Sequence, residues 1–142
     1  MESKINEVME YFGGGYSCAQ AIVVAYCEDL GLNKEAALKI SCGFGAGMAR
    51  LSQVCGAVSG ASLIIGLKYG KFKADDHAAR EKTYKLIQEF ERQFKEKHGS
   101  ANCRELLSVD FLTGDKEFAG KQVKELCPIF VKDAVEILES IL

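Results

Sequence analysis

Cysteine is the residue type in this sequence with the greatest capacity for chemistry. The chain has 142 residues and six cysteines, which are Cys18, Cys27, Cys42, Cys55, Cys103 and Cys127. A cysteine thiolate attacks disulfides and binds soft metal ions. The sequence contains no CxxC pair, and its cysteine separations match no local zinc or ferredoxin spacing. Disulfide chemistry and metal binding therefore both stay open.

Four of the cysteines are predicted to lie at or near helix starts. Capping-box and proline signals place Cys18 and Cys103 at first helical positions, Cys127 at an N-cap before Pro128, and Cys55 near the start of an apolar helix. The unpaired N–H groups and partial positive charge of a helix start favour thiolate over thiol. We therefore expect lowered pKa values for these thiols, with Cys18 the most reactive.

The other two cysteines are predicted to be inert. Cys27 follows Cys18 by nine residues, which puts it on the opposite face of the same helix. Cys42 falls at the end of a helix, where the dipole disfavours a thiolate. We expect both to be small buried apolar residues, and to be alkylated after Cys18 and Cys55.

Three functions are compatible with the cysteine pattern. In the first, one thiol attacks, a second resolves and a disulfide cycles, with Cys18 and Cys55 as the preferred pair. In the second, Cys18, Cys55, Cys103 and Cys127 hold an iron–sulfur cluster or a zinc ion, for electron transfer or delivery. In the third, the thiols are inert and the protein is a structural or interaction bundle.

The elements that must position these thiols are all predicted to be helices. Apolar periodicity, caps and glycine stops predict helices near 3–12, 18–30, 34–42, 54–68 and 76–97, a short helix from 103, and a last helix from 128. Alternating strand patterns are absent. The fold class is therefore all-α, a compact helical bundle of five or more helices in one domain over residues 1–142.

A segment with few charges is predicted to form the centre of the bundle. From Ile40 to Leu67 the only charged residue is Arg50, and glycines recur, which favours a small-residue, glycine-rich central helix. The candidate cofactor-binding residues in this segment are Gly45, Gly47, Arg50 and Gly56. The glycines could instead serve close packing, and Arg50 could instead form an ion pair.

Composition excludes several classes of function. The formal net charge is −2, which argues against a nucleic-acid binder, and hydrophobic residues make up 48% of the chain, which is typical of a folded domain. No segment is long and apolar enough to span a membrane. The N-terminus carries no export signal, so we expect a cytoplasmic protein. The sequence identifies no redox partner, and it is compatible with a homodimer.

The motifs around the cysteines resemble those of the C_GCAxxG_C_C family of redox-active proteins. The sequence CGAVSG at Cys55–Gly60 forms a CGAxxG motif, and YSCAQA at Tyr16–Ala21, GFGAGM at Gly43–Met48 and CRELL at Cys103–Leu107 surround it. The resemblance implies that Cys18, Cys55, Cys103 and Cys127 are the characteristic cysteines of the family. It also implies redox function and a prosthetic group such as an iron–sulfur cluster. It supplies no substrate.

Overall fold

The computed structural model describes residues 2–142, which form a bundle of helices joined by short turns. The regular helices are α1 (Ile5–Gly13), α2 (Cys18–Cys27), α3 (Lys34–Ser41), α4 (Gly56–Tyr69), α5 (His77–His98), α6 (Cys103–Leu107) and α7 (Lys116–Ile141). Between residues 2 and 142 the only β pairing is one antiparallel bridge, from Val54 to Asn102. The predicted all-α bundle is confirmed.

The predicted caps are observed at the starts of the helices. At α2, the Ser17 hydroxyl accepts a hydrogen bond from the Gln20 N–H, and the Gln20 side chain accepts one from the Ser17 N–H, each at 3.3 Å. The Asn33 side chain caps α3 by accepting a hydrogen bond from the Ala36 N–H, and the Asp76 side chain caps α5 by accepting one from the Ala79 N–H. Polar side chains therefore satisfy backbone donors that a helix start would otherwise leave unpaired.

Helix α4 lies at the centre of the bundle, as predicted. It packs against α2, α5 and α7. A β-carbon built on Gly60 would lie 3.0 Å from both the Cα and the carbonyl oxygen of Ala19. Only a glycine at this position lets the backbones of α2 and α4 come so close.

The last helix begins earlier than predicted, and this corrects the placement of Cys127. Helix α7 starts at Lys116 behind an Asp115 cap, so Cys127 and Pro128 lie in its interior. The sequence signal was misleading because proline suits a first helical position but is also tolerated inside a helix whose packing offsets the lost hydrogen bond. Here the apolar face continues through the proline, with Ala119 buried before it and Phe130 after it.

A left-handed turn joins α3 to α4. Gly45–Met48 form one distorted turn, and the residues from Ala46 to Arg50 all have φ between 51° and 75°. A left-handed conformation costs a residue with a side chain roughly 1–2 kcal/mol. The turn is held by a 2.8 Å hydrogen bond from the Gln53 N–H to the Gly47 carbonyl. The glycine-rich segment thus forms a packed turn between helices.

Candidate functional site: a four-cysteine cavity

Four of the six cysteines line a single cavity of about 490 Å³, which we call the thiol cavity. These are Cys18, Cys55, Cys103 and Cys127. They come from four separate parts of the chain, namely α2, the residue before α4, α6 and α7. The fold therefore brings together the four cysteines that the sequence nominated, although sequence spacing alone could not show their convergence.

Cys18 lies where two helix N-termini meet. Its sulfur is close to the backbone N–H groups of Cys18 and Ala19 at the start of α2, and of Gly56 and Ala57 at the start of α4. A β-carbon built on Gly56 would lie 2.8 Å from the Cys18 Sγ atom. The sulfur of Cys18 can therefore lie here only because Gly56, the residue after Cys55, has no side chain.

Cys55 and Cys103 are held by pairing between two loop segments. The Cys55 N–H donates a 2.8 Å hydrogen bond to the Ala101 carbonyl, and the Arg104 N–H donates one of 3.2 Å to the Ser52 carbonyl. Cys55 is the N-cap residue of α4 and Cys103 is the first residue of α6. The predicted positions of both cysteines are confirmed.

Gly47 leaves room for the side chain of Cys103 at the wall of the cavity. A β-carbon built on Gly47 would lie 2.8 Å from the Cys103 β-carbon and 2.6 Å from the Gln53 nitrogen, and the φ of Gly47 is +68°. A side chain at this position would collide with its neighbours and strain the backbone, so both effects require glycine. Gly47 and Gly56 line the cavity, so two of the four predicted cofactor-binding residues lie at the site.

The other two predicted cofactor-binding residues lie outside the cavity. Gly45 packs against the cap of α2, since a β-carbon there would lie 3.0 Å from the Ser17 β-carbon. Arg50 is exposed and lines a separate pocket beside Leu112 and Lys116. Arg50 is therefore not placed to stabilise a thiolate in the thiol cavity, and it forms no ion pair with another of residues 2–142.

Burial raises the pKa of each cavity thiol, which corrects the expectation of lowered values. For Cys18, burial raises the pKa, and the surrounding N–H groups oppose this effect without overcoming it. Burial and the nearby Cys18 hold the pKa of Cys55 well above its ordinary value. The same two causes raise the pKa of Cys103 from 9.0 to about 12. At neutral pH these groups are thiols.

The pKa of Cys127 also rises from 9.0 to about 12, because of burial and the neighbouring Cys18 and Cys103. Ionisation of Cys18 thus affects each of the other three cavity thiols, Cys55 included. Charges interact over a limited distance in proteins, so this coupling agrees with four sulfurs that face the same cavity.

The two remaining cysteines lie outside the cavity, but only one is buried. Cys27 is fully buried, and its thiol donates a 3.2 Å hydrogen bond to the Val24 carbonyl, as expected for a small core residue. Cys42 was also expected to be buried, and this is wrong. It follows α3 in a short 3₁₀ turn, Cys42–Phe44, in which no residue is buried, and its side chain is exposed.

Among residues 2–142, no charged side chain lines the thiol cavity. Its walls beyond the cysteines are formed by aromatic and aliphatic residues, together with four small residues and the capping pair of α2. The apolar residues are Phe12, Tyr16, Leu106, Leu107, Phe111, Val123 and Phe130. Sequence reasoning did not assign these residues to the site, because their helical spacing is the same as that of ordinary core positions.

The cysteines fit a soft metal by their chemistry but are not gathered around one ion. Tetrahedral zinc is held by sulfurs at about 2.3 Å from the metal, so its ligands must converge on one point. Among residues 2–142, no three Cys, His, Asp or Glu side chains are close enough together to hold a metal ion. The described residues therefore form no preformed site for a single zinc ion.

Comparison with known proteins identifies the family. The family model described as "Putative redox-active protein (C_GCAxxG_C_C)" matches residues 16–141. The chain belongs to this family. The match spans all four cavity cysteines, so the resemblance read from the sequence motifs is confirmed. No match was found among curated proteins or among solved structures.

In the part of the chain from residue 2 to residue 142, no helix has both the length and the apolar character needed to cross a membrane.

Proposed function

We propose that this family member carries out two-electron thiol–disulfide chemistry in the thiol cavity, with Cys18 and Cys55 as the reacting pair. The observation that carries the proposal is the meeting of α2 and α4 at these two residues. The Cys18 sulfur lies against Gly56, the residue that follows Cys55, and the nearby Cys18 raises the pKa of Cys55.

In this reaction Cys18 is the attacking thiol. The four backbone N–H groups around its sulfur stabilise the negative charge that develops as the proton leaves. Cys55 is buried and has a higher barrier to ionisation, so it serves as the resolving thiol. Oxidation breaks the two S–H bonds, forms one S–S bond and passes two electrons and two protons to an acceptor such as a small disulfide.

The raised pKa values predict how the reaction depends on pH. Attack requires a thiolate, and burial keeps the Cys18 thiolate scarce at neutral pH. The rate of oxidation should therefore rise with pH above neutrality. A protein that relied on a pre-ionised thiol would show little such increase.

Disulfide mapping across a redox titration tests the proposal. Reduced protein is equilibrated without oxygen in mixtures of reduced and oxidised dithiothreitol, quenched with acid, alkylated and digested. We expect a cross-linked peptide containing Cys18 and Cys55, which Cys18→Ser and Cys55→Ser abolish. Cys42→Ser is the matched control, because Cys42 is exposed outside the cavity. Cavity thiols that stay reduced throughout, or that pair otherwise, contradict the proposal.

A second candidate function is the holding of an iron–sulfur cluster by the four cavity cysteines. It is favoured by the donor set, since four thiols with no competing charged group surround one cavity. Cys18, Cys55, Cys103 and Cys127 would hold the cluster, which would supply one-electron transfer. Iron and sulfide analysis of protein purified without oxygen tests this candidate. A colourless, iron-free protein with four titratable cavity thiols excludes it.

A further inference from the structure

The walls of the thiol cavity limit which molecules can exchange electrons with its thiols. Among the lining residues there is no Asp, Glu, Lys, Arg or His. A charged ligand would leave water without gaining an opposite charge, and that transfer is strongly unfavourable. Charged small disulfides, such as peptide disulfides with free carboxylates, are therefore poor occupants of this space.

The polar groups of the lining are largely engaged within the protein. The Ser17 and Gln20 side chains bond to each other's backbone N–H groups, and the Gln20 amide also donates a 3.1 Å hydrogen bond to the Leu38 carbonyl. Besides this capping pair, the thiols and the half-exposed Tyr16 are the polar side chains among the lining residues. A site with a large apolar wall and few polar groups suits a ligand that has one or two uncharged hydrogen-bond acceptors.

The aromatic lining and the size of the cavity favour a flat aromatic ring. Phe12, Phe111 and Phe130 line it, and aromatic side chains bind other rings by stacked or edge-to-face contact. The volume of about 490 Å³ lies within the range of small-molecule sites. One ring system with short substituents fits such a space.

We propose that the thiol cavity binds a neutral, apolar quinone and that this quinone is the two-electron acceptor for the cavity thiols. The inference rests on the proposed function for its redox step, but the binding site does not depend on it. The Cys18 and Cys55 S–H bonds break and one S–S bond forms. The two electrons and two protons pass to the quinone, whose two carbonyl oxygens become hydroxyls.

Binding is tested first in a protein that cannot react. The Cys18→Ser/Cys55→Ser double variant is titrated with duroquinone, whose ring carbons are all substituted, so that thiols cannot add to the ring. The matched ligand is the trimethylbenzoquinone that carries a carboxymethyl group in place of the fourth methyl. Ligand-detected NMR should give at least about tenfold tighter binding of duroquinone, a difference of about 1.4 kcal/mol.

Two phenylalanines provide a matched pair of variants. Phe111 lines the thiol cavity, whereas Phe118 lines a different pocket and is 42% exposed. We expect Phe111→Ala to weaken duroquinone binding severalfold and Phe118→Ala to leave it unchanged. If Phe111→Ala does not fold, the comparison of neutral and charged quinone in the double variant still decides the question.

Reaction is tested second, with the reduced wild-type protein. One equivalent of protein should convert about one equivalent of duroquinone to the hydroquinone, with loss of the quinone absorbance and appearance of the Cys18–Cys55 cross-link. Equal affinity for the neutral and charged quinones, no binding, or binding without oxidation of the thiols each overturns this inference. The dithiothreitol titration tests the disulfide chemistry without a quinone. Failure of the quinone inference is therefore distinguishable from failure of the proposed disulfide chemistry.

Discussion

The sulfur of Cys18 lies directly against Gly56, so that a β-carbon at position 56 would be 2.8 Å from Sγ and 3.2 Å from the Phe44 carbonyl oxygen. This contact joins the start of α2 to the start of α4 and places Cys18 beside Cys55. The position of the sulfur thus depends on the absence of a side chain on a neighbouring helix.

Gly56→Ala should therefore displace Cys18. We expect a loss of about 1–3 kcal/mol in the free energy of unfolding, because the added methyl group overfills a packed site. The yield of the Cys18–Cys55 cross-link should fall as well. Chemical unfolding and disulfide mapping measure the two effects.

Gly66→Ala is the control in the same helix. No atom lies within 4 Å of a β-carbon built on Gly66, so alanine should raise the free energy of unfolding by about 0.5–1 kcal/mol through its better helix propensity. Equal effects of the two substitutions would mean that the contact between Cys18 and Gly56 is not tight.

The helical fold could be predicted from local sequence because local features specify it. Ser17, Asn33 and Asp76 cap helices through bonds within a few residues, and each of these starts is where the sequence placed it. The start of α7 was misplaced because Pro128 gives the same local signal at a helix start and in a helix interior supported by tertiary packing.

The candidate site was predictable only in its residue types. Cys55 and Cys103 could be nominated by motif, but their proximity depends on contacts between segments far apart in sequence, such as the bond from Cys55 to Ala101. The raised pKa values were missed for the same reason. Burial is a property of the whole fold, and it outweighs the local helix-start effect at Cys18.

The left-handed turn should be relieved of strain by glycine. Ala49 is exposed and has a φ of 51°, so Ala49→Gly should raise the free energy of unfolding by up to about 1 kcal/mol. Ala78 is also exposed but lies in the first turn of α5, so Ala78→Gly should lower the free energy of unfolding by about 0.5–1 kcal/mol. Thermal and chemical unfolding compare the pair. A loss of stability in Ala49→Gly would contradict the assigned backbone conformation.

Thiol labelling should follow exposure. Cys42 is exposed, Cys18 is half-buried with a raised pKa, and Cys27 is fully buried. We therefore expect native reduced protein to alkylate at Cys42 first, then at Cys18, and at Cys27 last, which reverses the sequence-based ranking of Cys42 and Cys18. Mass spectrometry of partially alkylated protein gives the order. Labelling of Cys18 ahead of Cys42 would show that the amides at the two helix starts outweigh burial.

The reduced protein should lose stability in alkaline solution. Burial raises the pKa of Cys103 and of Cys127 from 9.0 to about 12 in the folded state, so the unfolded chain gives up these protons first. Because the folded state holds these two protons more tightly, their contribution to the free energy of unfolding is complete below about pH 9. It is lost as the pH rises toward 12, by up to about 1.4 kcal/mol per pH unit for each thiol. Urea unfolding between about pH 8 and about pH 10.5 measures the slope. Cys103→Ala should show a shallower slope than the wild type. Tyr26, whose pKa burial also raises, contributes equally to both proteins, so parallel slopes would mean that Cys103 is not desolvated in the folded state.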